Sequence, residues 1–224
     1  MTPRGKPRRI GGMASGWRLN PVISVIITSD FLLTTAASML SPIFALFVVG
    51  QIQGGTARTV GLAIAVYWIV KSLLQLPIAR YLDRNHGEID DYYSLLFGTM
   101  LGAVAMGGYF FAHEVWHVFA LQGLSGIADA LLVPPFYAVF TRHLDKGREG
   151  FEWSFRSSLS YGGGAALGGI LGGFLLAAVG FRYVFVIAAT VYASSALVLM
   201  FLKPFVLPKA PKDVRRVFVE QKKL

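Results

Sequence analysis

The stretch Tyr161-Gly-Gly-Gly-Ala-Ala-Leu-Gly-Gly-Ile-Leu-Gly-Gly-Phe174 decides how this chain is read. In water so much glycine would unravel a helix, since each one costs about 0.8–1.0 kcal/mol relative to Ala. Here it lies inside Ser157 to Phe181, a run with no charged side chain. Such a run is long enough to cross a bilayer, where the backbone must satisfy its own hydrogen bonds as a helix. Gly164, Gly168 and Gly172 recur four residues apart, and Gly169 with Gly173 forms a second such pair. Rows of this kind make a flat surface on which another helix packs backbone to backbone.

The rest of the chain has the same character. Of its 224 residues, 54% are hydrophobic and 15% charged, with a mean hydropathy of +0.57. A soluble domain carries about 25% charge, so the balance is that of an integral membrane protein, and its spanning runs make it all-α and polytopic. There is no cysteine, hence no disulfide framework, thiolate metal site or catalytic thiol. The formal charge of +9 could suggest nucleic acid. Its distribution points instead to a membrane surface, with lipid as the partner.

Six apolar segments are expected as spans: Pro21–Val49, Val60–Leu82, Tyr92–Ala112, Trp116–Phe140, Ser157–Val179 and Tyr183–Leu202. The first is expected to bend near Pro42. The bundle is placed at 20–203, between a basic tail at 1–19 and a cationic tail at 204–224 that has the pattern of a short interfacial helix or of a solvated tail. The tail at 1–19 is Arg-rich and acid-free, as transit peptides also are, and the apolar stretch after it is too long for a signal peptide. Eighteen of the 21 Lys and Arg residues fall in the two tails and the loops after spans two and four. The positive-inside rule therefore places both termini in the cytoplasm, in a cell inner membrane.

Three charges fall deep inside spans, away from the span ends: Asp30 in the first, Lys71 in the second and Asp129 in the fourth. Counted from the cytoplasmic span ends, each lies about 14–17 Å deep, near the bilayer midplane. Charges in lipid are costly and face the bundle interior or a cavity, so one shared site is expected. Helical spacing adds Thr34, Ser38 and Ser41 to the face of Asp30, Tyr67 and Gln75 to that of Lys71, and Gln122 and Ser125 to that of Asp129. Asp30, Thr34, Lys71, Gln75, Gln122 and Asp129 are thus the candidate substrate- or ion-binding residues. The alternative is a structural Lys–Asp pair that fixes helix packing without touching a solute.

Three motifs carry a resemblance. Ala79-Arg80-Tyr81-Leu82-Asp83-Arg84-Asn85-His86-Gly87, between spans two and three, resembles the G-x-x-x-D-R-x-G-R/K turn of the major facilitator superfamily. Ala79 replaces the first Gly, one extra residue precedes Gly87, and Glu88, Asp90 and Asp91 stand where that family has a basic run. Gly164-x-x-x-Gly168-Gly169-x-x-Gly172-Gly173 is similar to the family's fifth-span motif G-x-x-x-G-P-x-x-G-G, with Gly169 in place of proline. Gly180-Phe181-Arg182-Tyr183-Val184-Phe185 resembles the turn G-W-R-W-x-F before the sixth span, and Leu121-Gln122-Gly123 is a fainter echo in the fourth. Relatives often place an Arg three residues before that Gln; here the position is Phe119.

The resemblance implies a six-helix, N-terminal-type half of a secondary transporter, with spans one and four lining the path and a small molecule or ion as substrate. It implies alternating access, with Asp30 or Asp129 titrating as the proton-coupling group. Asp83 and Arg84 become gating residues, with Glu152 and Arg156 as candidate partners. Family members join two such halves, related by an axis along the membrane normal. An identical copy, a separate second half or a longer chain would each supply the other one. A membrane assembly protein that kept the bundle without transport is the alternative from a different class. An intramembrane enzyme has no motif in its favour. The sequence holds no metal-ligand spacing around His86, His113, His117 or His143, no Walker A stretch and no Rossmann fingerprint, so neither metal nor cofactor is expected.

Overall fold

The computed structural model describes residues 19–84 and 88–206. Residues 1–18, 85–87 and 207–224, which hold most of the tails expected at 1–19 and 204–224 and His86 of the second-to-third turn, lie outside the described residues. Every regular element among the described residues is helical: α1 (Pro21–Leu40), α2 (Phe44–Gln51), α3 (Ala57–Arg84), α4 (Glu88–Gly108), α5 (Val115–Arg142), α6 (Glu149–Arg156), α7 (Ala165–Val179), α8 (Phe181–Met200) and α9 (Lys203–Val206). A 3₁₀ turn (Tyr109–Phe111) extends α4, and a π-helical segment (Ser157–Gly164) joins α6 to α7. Together they make six helices long and apolar enough to span a membrane: Pro21–Gln51, Ala57–Arg84, Glu88–Phe111, Val115–Arg142, Glu149–Val179 and Phe181–Val206.

Local chemistry accounts for the boundaries. Asn20 caps α1, its Oδ1 accepting the Val22 N–H at 2.9 Å, with Pro21 in the first turn where its missing N–H costs nothing. The bend expected near Pro42 is an interruption, a turn at 41–43 between α1 and α2. Gly180 adopts φ +79° at the reversal from α7 to α8, a left-handed conformation that a side chain would strain. Just beyond it, Arg182 donates to the Phe110 carbonyl at 2.9 Å, tying the sixth span to the end of the third.

The spans pack as two connected groups. In one, α5 lies between α3 and α4; in the other, α1 lies between α7 and α8; α4 and α8 join them. An apolar cluster at the Arg142 end includes Ile23, Ile26, Leu95, Phe136, Phe140 and Leu199. A second, at the Gln51 end, includes Met39, Phe47, Val48, Tyr109, Val118 and Phe185. Spans two and five are peripheral: only 6% and 17% of their most apolar windows are buried, against 39–44% for the other four. Their outer faces carry exposed Leu73, Leu76, Ile170 and Phe174.

The glycine run divides in two. A Cβ on Gly168 would lie 2.2 Å from the Thr35 carbonyl oxygen and one on Gly172 2.2 Å from that of Met39, while one on Gly164 would press on Phe31 at 3.1 Å. That row sets α7 directly against α1, inside a single bundle. Gly169 and Gly173, expected as packing residues too, have nothing within 4 Å of a built Cβ. They lie on the open face of α7.

One element differs from its sequence reading. The fifth span begins at Glu149, not Ser157, so Glu152 and Arg156 belong to α6 and not to a loop. Glu152, Arg156, Ser160, Gly164, Gly168 and Gly172 form one buried row at spacing four. In a plain α-helix such a row drifts about 40° per step, because four residues turn through ~400°. The π-helical segment, with its wider i→i+5 turns, drifts the other way. The row therefore stays on one side of the span, and from Arg156 to Gly172 it meets α1.

Candidate functional site

Between α1 and α5 the two helix groups part, and two adjoining cavities open on that side. The larger, about 580 Å³, lies toward the Arg142 end and is lined by Asp30, Thr34, Lys71, Asp129, Tyr137 and Arg156, among others. The smaller, about 420 Å³, lies toward the Gln51 end against Phe44, Tyr109, Gln122, Ser125 and Phe185. Ala37, Ser41, Trp68, Asp129 and Tyr192 line both. The structure thus brings Asp30, Thr34, Lys71 and Asp129 to one wall and places Gln122 in the adjoining chamber. Gln75, two turns from Tyr67 along α3, lines neither cavity.

The second and fourth spans meet through glycine. A Cβ on Gly126 would lie 2.7 Å from the Tyr67 carbonyl oxygen and 3.2 Å from the Lys71 nitrogen, so the α5 backbone lies directly on α3 there. Asp129 stands one turn further on, the step that brings a side chain onto the same face. Lys71 Nζ reaches Asp129 Oδ2 at 3.0 Å, and the Tyr67 hydroxyl donates to the same oxygen. Lys71 Nζ also lies 5.0 Å from the Trp68 ring centroid and 5.4 Å from that of Tyr67. The Lys71 and Asp129 side chains remain 13% and 26% exposed.

Asp30 pairs with a base outside the three charges read inside the spans. Arg156 Nε stands 2.9 Å from Asp30 Oδ2, with the two side chains 8% and 10% exposed. Rings surround the guanidinium: Phe136 at 4.5 Å, Tyr161 at 5.1 Å, Trp153 at 5.6 Å, Tyr137 at 5.7 Å and Phe140 at 6.0 Å. A planar, weakly hydrated cation suits such a cage, where an ammonium would be harder to desolvate. The cavity wall therefore carries two acids and two bases, paired as Asp30–Arg156 and Asp129–Lys71. Reading the Gly164 row backwards at spacing four reaches Ser160 and then Arg156, a signal that was present in the sequence.

At the Arg142 end a second charged cluster joins spans three and four. Arg142 pairs with Asp91, which is 3% exposed, and approaches Glu88 at 3.9 Å; His143 Nδ1 lies 3.6 Å from Glu88. Glu88 and Asp91, which stand where the resembling turn has bases, are thus matched by a base on the facing helix. Glu152 and Arg156, considered as partners for Asp83 and Arg84, are engaged elsewhere: Glu152 Oε2 accepts the Asp145 N–H at 3.2 Å, and Arg156 holds Asp30.

The sequence pattern that describes the Major Facilitator Superfamily matches residues 26–223. Two multidrug resistance proteins named MdtG are similar over most of the chain. The one from Dickeya zeae (strain Ech586) is 28% identical over 202 residues, 86% of this chain and 48% of that protein. The one from Rahnella sp. (strain Y9602) is 28% identical over 217 residues, 92% of this chain and 50% of that protein. The chain spans about half the length of these relatives. Among solved structures, the POT family transporter PepTSo shares the fold, with a TM-score of 0.62 at 14% identity over 88% of this chain and 40% of that one.

Proposed function

Since the chain belongs to the Major Facilitator Superfamily, we propose that it is one six-helix half of a secondary transporter that moves a small solute by alternating access, coupled to an ion or proton gradient. The observation that carries this reading is the cavity wall, where Asp30, Lys71, Asp129 and Arg156 from four different helices face one space. Buried charge is expensive in a membrane, and four such groups around a cavity are what a solute path requires. The names of the MdtG relatives favour a broad range of small organic compounds over a single nutrient.

A half needs a partner. The poorly buried spans two and five flank the open side, and their outer faces offer apolar surface to lipid and to a second half. That half is an identical copy in a homodimer, a separate six-span partner or the remainder of a longer chain, related by an axis along the membrane normal. The distribution of Lys and Arg supports a cell inner membrane location with both termini in the cytoplasm. On that orientation Asp83 and Arg84 lie at the cytoplasmic end of α3, where they act as a gate.

A second reading has one observation in its favour. Each acid in the cavity already holds a base, so both pairs could serve only to fix the bundle of a non-transporting assembly protein. Purified protein in liposomes under an imposed pH gradient separates the two. Uptake of any member of a panel of cationic, neutral and anionic fluorophores, lost on dissipating the gradient, supports transport. No gradient-driven uptake across the panel supports the second reading.

A further inference from the structure

Asp129 is the one cavity charge that faces both chambers. Both of its described contacts, from Lys71 and from Tyr67, fall on Oδ2. The carboxylate keeps 26% of its side-chain surface open, the largest value among the four paired charges of the wall. Oδ1 is the oxygen left to meet a solute. Beside the carboxylate stand Trp68, whose ring centroid lies 5.0 Å from the Lys71 ammonium, and Tyr67, which meets that ammonium with its hydroxyl at 3.1 Å. A carboxylate with an aromatic ring and a hydroxyl beside it is chemistry that recognises an ammonium group. On one side of it the smaller chamber is walled largely by Leu40, Phe44, Ile64, Met106, Tyr109 and Phe185, with Ser41, Gln122, Ser125 and Tyr192 among its polar points.

We propose that Asp129, Tyr67 and Trp68 form an ammonium-binding site in which Lys71 is a tethered occupant, and that the solute is an amphipathic organic ammonium ion which displaces it. The solute's N–H bonds the Asp129 carboxylate while its apolar body fills the smaller chamber. Lys71 then moves toward the larger chamber, which it also lines. This rests on the transport reading for its purpose, but the site itself is a matter of equilibrium binding. Lys71 acts here as a specificity residue. It competes for Asp129, so a solute lacking a cationic N–H donor gains nothing from displacing it, and a carboxylate solute finds Asp129 and Asp30 in its way.

The test uses the full chain purified in detergent and three dansyl fluorophores of matched length, ending in an alkylammonium, an alkylcarboxylate and a neutral amide, read by fluorescence anisotropy. On the unaltered protein the ammonium probe should bind at least tenfold more tightly than the other two. Lys71→Met should tighten the ammonium probe about three- to tenfold and leave the neutral probe unchanged, and Asp129→Asn should weaken the ammonium probe about tenfold. Equal binding of the three probes, or tighter binding of the carboxylate, overturns the proposal on unaltered protein, so it does not depend on either variant folding. Weaker ammonium binding in folded Lys71→Met overturns it too, because Lys71 would then be a contributor to the site and not a competitor. The expected binding pattern without gradient-driven uptake upholds the site and counts against the transport reading alone.

Discussion

Arg156 Nε stands 2.9 Å from Asp30 Oδ2, joining the start of the fifth span to the middle of the first. Both side chains are nine-tenths buried, so neither charge has water to fall back on. Removing one partner of a buried pair strands the other, at a cost of about 3–5 kcal/mol. Arg156→Gln is therefore expected to lower the unfolding midpoint in detergent sharply. The double variant Asp30→Asn with Arg156→Gln should recover most of the loss, as a double-mutant cycle reads it. Additive losses would mean that the two residues are not coupled.

The two glycine rows should respond in opposite ways. A Cβ at Gly168 meets backbone at 2.2 Å, and main chain cannot turn aside as a side chain can. Gly168→Ala is expected to cost about 1–3 kcal/mol through overpacking, and Gly168→Leu to abolish folded yield. Gly169, with open space around it, should accept Ala with a change within about 0.5 kcal/mol. Size-exclusion profiles of the variants in detergent check this; a tolerated Gly168→Leu would contradict the close approach of α7 to α1.

Gly126 makes a prediction about the site without touching it. Its backbone lies on Tyr67 and Lys71, so Gly126→Val should push α5 from α3 and break the reach of Lys71 to Asp129. Cysteines introduced at Tyr67 and Gly126 cannot serve as reporters, since both positions belong to the contact. A pair at Val66 and Gly123, where a Cβ on Gly123 would lie 3.9 Å from Val66, can. Crosslinking between them should fall severalfold in Gly126→Val; unchanged crosslinking would show that the helices tolerate the bulk.

At the Arg142 end, Asp91 depends on one described base. Asp91 is 3% exposed, and Arg142→Ala leaves it buried without that guanidinium. Arg142 itself stays 40% exposed, so a loss of about 1–3 kcal/mol is expected, still larger than the ~0–1 kcal/mol of an exposed pair. Asp91→Asn should cost less than Arg142→Ala, because the neutral amide no longer needs a counter-charge. Equal small effects would place this cluster among ordinary surface pairs.

Much of this was legible in the sequence, and for physical reasons. Apolar runs of spanning length fixed the six helices, since lipid leaves the backbone no other regular form here. Counting depth along spans two and four brought Lys71 and Asp129 to one level, and the i+4 step from Lys71 back to Tyr67 found the third member of that cluster. Arg156 was harder to see. Its neighbours Glu149, Glu152 and Arg148 read as a polar loop, and the i+4 row from Gly172 back to Glu152 drifts off one face in plain α-helical geometry. The π-helical segment keeps it there, and no single residue in Ser157–Gly164 announces that geometry. The split between buried Gly168 and open Gly169 likewise depends on which helix lies alongside, a tertiary fact.

The central claim is that Asp30 or Asp129 couples a gradient to solute movement, and proteoliposomes test it most directly. Purified full chain is reconstituted around trapped DNA, and gradient-driven entry of DAPI, whose amidinium groups are cationic N–H donors, is followed by its fluorescence. Uptake that follows an imposed pH gradient in the unaltered protein, and that is lost in Asp30→Asn or in Asp129→Asn at equal reconstituted amounts, is the expected result. Full uptake in both variants would contradict the claim.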